Sequence, residues 1–208
     1  LALIRKLTRA NEPLAKTIGI ELVEFQRFEP FEVDVTLKDG EFIKLSPDLT
    51  VQVVETPGHT RDCLSYFIPQ KKVLLCSEAA GVPDATGYIV SEALVDFDQY
   101  YESMSRLSEV EFDVLCLGHR QVLIGQDAND YFRKSMTHCR DFLNLVESSL
   151  IEEGGNVQKV LAQIKTIQYD PIQGPKQSEP AYLLNLEAKV KAIQRRLENR
   201  SENLEIAN

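Results

Sequence analysis

The chain has 208 residues, 43% of them hydrophobic and 26% charged, a globular profile with enough apolar material for a sizeable core. A formal net charge of -9 repels nucleic-acid backbones and anionic membrane surfaces, which excludes the commonest electrostatic partners. No apolar run approaches the roughly 20 residues of a bilayer span and the opening residues lack a signal-peptide pattern, so the expectation is a cytoplasmic protein with a small-molecule substrate and neither a nucleic-acid nor a membrane partner.

The sequence opens on Leu1, inside an amphipathic pattern, and a truncated or processed product is expected from this. Over residues 1–16 the positions of Leu1, Ile4, Leu7 and Leu14 predict a surface helix that Gly19 ends. The pattern then changes to short β-branched runs. Strands are predicted over residues 33–37, 41–45, 50–55 and 63–68, with Asp39-Gly40 as a tight turn between the first two. A further strand over 73–76 follows the Gln70-Lys71-Lys72 turn, and together these make an antiparallel meander.

Asp96 or Asp98 is the expected N-cap of a helix with Tyr100, Met104 and Leu107 on one face, and the acidic and aromatic residues around it read as a helix start with a solvated side. A short strand over 112–117 comes next, so strand, helix and strand define a layered α/β arrangement. Beyond it the pattern is helical over 128–151, 157–167 and 181–197, punctuated by Gly154-Gly155 and a Pro/Gly loop, with a polar tail after Glu198 expected to fray. This divides the chain into an α/β part over residues 1–126 and a helical extension over 127–208, whose amphipathic length is also suited to forming a homodimer. The four cysteines, Cys63, Cys76, Cys116 and Cys139, are far apart in apolar surroundings and read as buried free thiols.

Chemistry concentrates at three strand ends. In Thr56-Pro57-Gly58-His59-Thr60, proline fixes one torsion and glycine allows a tight path, so His59 leaves a strand end towards a cleft. Glu78 follows the strand over 73–76, where its charge is costly unless it is paired or bound to metal. His119, in Gly118-His119-Arg120, leaves the strand over 112–117. Two imidazoles and a carboxylate are ligand types suited to zinc, iron or manganese.

The order of Leu37-Lys38-Asp39-Gly40, Val53-Val54-Glu55-Thr56-Pro57-Gly58-His59-Thr60, Leu74-Leu75-Cys76-Ser77-Glu78 and Leu117-Gly118-His119 resembles the second half of the metallo-β-lactamase superfamily over residues 31–125. The resemblance implies an α/β fold, the C-terminal half of an αββα sandwich followed by a helical extension. It implies His59, Glu78 and His119 as metal ligands, with Glu78 in the bridging place, and a divalent metal, zinc first with iron or manganese as alternatives. No catalytic residue is assigned. The implied activity is metal-dependent hydrolysis of an ester, thioester or lactone in the intact parent, and the alternative is a non-catalytic binding or regulatory protein on the same fold.

Two departures bear on that choice. The family's bridging pair is Gly-Asp, whereas this chain has Ser77-Glu78. The added methylene moves the carboxylate by about an ångström, large against a tolerance of roughly 0.2 Å in metal bonds. The family's His-x-His-x-Asp-His motif has no counterpart either, because His59, His119 and His138 are the three histidines of the chain. His138 falls within a helix and reads as a helix-face residue, while Arg61, Asp62 and Asp84 lie near the matched motifs as residues that would line a site. With that ligand set incomplete, the chain alone is expected to be inactive.

Overall fold

A computed structural model describes residues 32–206 except Arg120 and Pro175, together with Lys16 and Gly19, and only the backbone over 201–206. Apart from Lys16, the helix expected over residues 1–16 lies outside the described residues.

The meander forms as β1 (Phe42–Ser46), β2 (Leu49–Glu55), β3 (Leu64–Ile68) and β4 (Val73–Ser77), each antiparallel to the next. A 3-10 turn over Pro69–Lys71 with left-handed Lys72 makes the β3–β4 corner. A small hairpin, β5 (Val82–Pro83) with β6 (Ile89–Val90), then leads to helix α1 (Phe97–Ser108). The chain returns as β7 (Val114–Leu117), parallel to β4, and β8 (Val122–Ile124) closes a six-stranded sheet in the order β1-β2-β3-β4-β7-β8. Helices α2 (Gln126–Glu152), α3 (Val157–Gln168) and α4 (Glu179–Ile206) complete the chain.

Several sequence expectations are corrected here. Residues 33–37 are not a strand: they run to the Lys38–Glu41 turn, where Glu41 donates to the Lys38 carbonyl, and Val33 and Val35 are exposed. β-branched composition alone does not make a strand without a partner edge. The backbone after Glu198 is helical to Ile206, where the sequence offered no helix beyond Leu197. Cys76 and Cys139 are buried free thiols as expected, whereas Cys63 and Cys116 are only half-buried.

Alternation along the strands sends Val54, Ser65, Leu74, Cys76 and Leu115 to one face, where they meet the helices. α1 supplies Tyr100, Met104 and Leu107, all fully buried, at the spacing read from the sequence. α2 adds Phe132, Cys139 and Val146, α3 adds Val160 and Ile164, and α4 adds Leu186, Val190 and Ile193, so sheet and helices share one continuous core. Each fully buried aliphatic side chain contributes about 1.5–3 kcal/mol to holding that arrangement. The opposite face of the sheet leaves Leu75, Val122 and Ile124 at 37%, 62% and 68% exposure. No helix among the described residues is long and apolar enough to cross a membrane.

Candidate functional site

β2, β4 and β7 run in the same direction: β2 and β4 are each antiparallel to β3, and β7 is parallel to β4. Their C-terminal ends therefore lie along one edge of the sheet, and the three residues singled out from the sequence leave from that edge.

At the end of β2, Thr56 is buried and tied to the next strand: its amide donates to the Cys63 carbonyl at 2.9 Å and its hydroxyl lies 3.0 Å from that of Ser65. Pro57 and Gly58 then turn the chain against the start of α1. Gly58 has φ +125, and a Cβ there would lie 2.3 Å from the Tyr100 amide nitrogen, so no other residue fits this approach. The Gly58 carbonyl accepts from the amides of Val95 and Asp96, and Ser103 donates its hydroxyl proton to the Pro57 carbonyl. Asp96 is the N-cap of α1, accepting from the Gln99 amide at 2.9 Å.

The half-buried His59 ring is fixed by one contact, Nδ1 to the backbone carbonyl of Glu92 at 2.7 Å. A carbonyl can only accept, so Nδ1 carries a proton, and of the two neutral tautomers this is the one whose lone pair is on Nε2. The Glu92 carboxylate points the other way, to the buried Lys189 ammonium of α4 at 3.6 Å.

At the end of β4 the backbone turns sharply. Ser77 adopts φ 48 and ψ -132, a region that glycine occupies freely and serine only under strain. The following 3-10 turn, Glu78–Ala80, is held from behind: Tyr100 donates to the Glu78 carbonyl, Ser135 to that of Ala80 and Tyr131 to that of Gly81. Gly118, after β7, donates its amide to the Ser77 carbonyl at 3.0 Å, and a Cβ on it would press on the Ser77 carbonyl carbon at 2.9 Å. That close passage brings His119 to Glu78, with Nε2 2.9 Å from Oε1. Ser77 donates its hydroxyl to the other carboxylate oxygen of Glu78. Burial raises the pKa of Glu78, but the Ser77 hydrogen bond and the nearby His59 and His119 rings more than reverse it, leaving the carboxyl below its ordinary range. The His119 side chain is 58% exposed and opens the edge to solvent.

Glu78 and His119 are thus in direct contact, and His59 is near enough to act on the Glu78 charge. The donors are of the kinds that bind zinc, iron or manganese, and a His59 Nε2 held by an Nδ1 hydrogen bond to a carbonyl matches how ligating histidines are oriented. As placed, they fit only part of a site, since among the described residues no group of three or more His, Cys, Asp or Glu side chains stands together to hold a metal ion.

Other sequence candidates serve structure. Asp84 accepts from the Thr86 and Tyr88 amides and shapes the β5–β6 turn. On α2, the His138 Nδ1 accepts from the Ile89 amide at 3.0 Å and its ring stacks on Tyr88, so its place on a helix face comes with a packing role. Sequence reading missed Glu92, whose contribution to the edge is a backbone carbonyl and leaves no residue-type signal.

No family model matches the chain. A stretch of 47 residues is 40% identical to the hydroxyacylglutathione hydrolase of Rhodopseudomonas palustris, covering 23% of this chain and 18% of that protein. A stretch of 70 residues is 31% identical to the hydroxyacylglutathione hydrolase of Brucella ovis, covering 33% of this chain and 27% of that one. The matched stretches thus span less than a third of these curated relatives. Among solved structures, a metallo-β-lactamase family protein of Thermus thermophilus matches with a TM-score of 0.57 at 16% identity, over 92% of this chain and 60% of that one. This chain thus has the fold of that metallo-β-lactamase family protein over nearly its whole length, with Thr56-Pro57-Gly58-His59, Ser77-Glu78 and Gly118-His119 at three neighbouring strand ends.

Proposed function

We propose that the edge formed by β2, β4 and β7 is one part of a hydrolase site for an acyl ester or thioester, active in the product of the complete reading frame and inactive in this chain alone. The observation that carries the reading is the His59 ring, held through Nδ1 by the Glu92 carbonyl at the same edge as the Glu78–His119 pair. His59, Glu78 and His119 would hold the divalent metal characteristic of the superfamily, zinc first. Bound there, such an ion lowers the pKa of water to about 7 and polarises the substrate carbonyl.

The chain's own residues have separable tasks. Ser77 and the neighbouring imidazoles keep Glu78 ionised at neutral pH. The Glu92 carbonyl keeps the His59 proton on Nδ1. His119, the most open of the three, faces an arriving substrate. A thioester is favoured because the relatives from Rhodopseudomonas palustris and Brucella ovis carry the name hydroxyacylglutathione hydrolase.

The test is hydrolysis of a hydroxyacylglutathione thioester, an aryl ester and a lactone by the zinc-loaded product of the complete reading frame. Turnover that falls about a hundredfold or more in His59→Ala supports the reading. Full zinc occupancy with no hydrolysis of any of the three overturns it.

A second reading, a non-catalytic binding protein on this fold, is favoured by the direct Glu78–His119 contact, which engages both groups with each other. Zinc titration of the same product separates the two, since absence of stoichiometric uptake supports the second.

A further inference from the structure

The helical extension does more than cover the core. Residues 92–98 form a strap lying between α4 and the His59 turn. On the inner side the strap holds that turn through its own backbone groups: the Glu92 carbonyl accepts from the His59 Nδ1 at 2.7 Å, and the Val95 and Asp96 amides donate to the Gly58 carbonyl at 3.0 and 3.2 Å. On the outer side three cations from two turns of α4 grip the same strap. Lys189 reaches the Glu92 carboxylate at 3.6 Å, Arg195 donates to the Val95 carbonyl at 2.8 Å, and Arg196 donates to Asp98 at 2.6 Å while also pairing with Glu147 of α2.

Lys189 and Glu92 are 4% and 13% exposed, and the ammonium also lies 5.6 Å from the centre of the Phe142 ring. An ion pair so far out of water is a poor source of net stability compared with apolar residues of the same size, yet removing one partner strands the other charge. Its effect is positional: Glu92 is locked at the residue whose carbonyl orients His59. Fully buried Val190 and Ile193, on the same stretch of α4, fix the helix against the core and so fix where the cations stand.

We propose that α4 is a positioning element for His59, acting through Lys189 and Glu92, with Arg195 and Arg196 holding the remainder of the strap. The proposal deepens the reading of His59 as an acting group at the sheet edge and rests on that reading for its functional meaning. Lys189 is a positioning residue, since it reaches the ring only through Glu92.

The experiment uses the metal-free chain, labelled with nitrogen-15, so that it does not depend on activity. In the unsubstituted protein the His59 signals report one tautomer, with the proton on Nδ1. Lys189→Met is expected to give mixed tautomers and to speed amide exchange at Val95 and Asp96 about tenfold over the core amides of α1. Lys189→Arg is expected to restore both. Arg195→Gln, on the exposed side, is expected to speed exchange at Val95 and Asp96 without altering the core, and it keeps the test decisive where Lys189→Met does not fold. Unchanged His59 tautomer and strap exchange in a folded Lys189→Met protein overturns the proposal, as does unchanged strap exchange in Arg195→Gln when that is the variant measured. A separate zinc titration of the complete reading frame's product distinguishes failure of the hydrolase reading: altered His59 signals without zinc uptake keep the positioning role and remove the metal.

Discussion

Gly58 lies against the first turn of α1 so closely that a Cβ would come within 2.3 Å of the Tyr100 amide nitrogen. The contact sets the direction in which His59 leaves β2, because the Gly58 carbonyl at the same point accepts from Val95 and Asp96. Gly58→Ala combines an unfavourable φ with a backbone clash that no rotamer relieves. It is expected to destabilise the protein by about 2–4 kcal/mol, measured by urea unfolding. A loss below half a kilocalorie would mean that the turn moves away from α1 at little cost.

Ser77 holds a torsion suited to glycine and at the same time donates to Glu78. The two substitutions that separate these effects have opposite signs. Ser77→Gly relieves strain of about 1–3 kcal/mol and is expected to raise the melting temperature despite the lost hydrogen bond. Ser77→Ala keeps the strain, loses the donor and is expected to lower it. Equal effects in thermal melts would remove backbone strain as the explanation.

Asp39 joins three elements. Its carboxylate accepts from the Glu55 amide at 2.8 Å, and one guanidinium nitrogen of Arg106 of α1, Nη2, lies 2.9 Å from both of its oxygens. The Glu55 amide and the Arg106 guanidinium outweigh partial burial and hold the Asp39 pKa below its ordinary value of 3.8. Because the folded-state pKa is the lower one, the associated stability is present above the ordinary value and is lost as pH falls through the folded-state value. Asp39→Asn is therefore expected to be less stable at pH 7 and to show a shallower loss of stability below about pH 4. Parallel acid-unfolding curves for the two proteins would contradict this.

Thiol reactivity should follow burial. Burial pushes the Cys76 thiol up to about 12 and that of Cys139 up to about 11, whereas Cys63 and Cys116 are partly open. Iodoacetamide at about pH 8 is expected to modify Cys63 and Cys116 in the native protein and all four cysteines after unfolding. Mass spectrometry of peptides reads the order, and early modification of Cys76 would show that the face of β4 under the helices opens readily.

The parts of this structure legible in the sequence are those with a local cause. Alternation placed β2, β3 and β4, helical spacing placed Tyr100, Met104 and Leu107 on the buried face of α1, and Asp96 marked the start of that helix. Proline, glycine and histidine in succession marked the His59 turn. The hairpin of β5 and β6 and the short β8 escaped because two- and three-residue strands carry no periodicity. At the site, residue type pointed to His59, Glu78 and His119 but not to what orients them. The Glu92 carbonyl is common to every residue, and Lys189 in the sequence is one lysine on a polar helix until the fold buries it.

The strap has a consequence for synthesis. Its inner partner, Gly58, lies near the strand meander, but its outer partners are about a hundred residues further along: Arg195 meets Val95 across a separation of 100 and Arg196 meets Asp98 across 98. During translation the meander emerges long before the helix that secures the His59 turn. The turn at the sheet edge is therefore secured only about a hundred residues after the strap is made, when residues 189–196 leave the ribosome and dock.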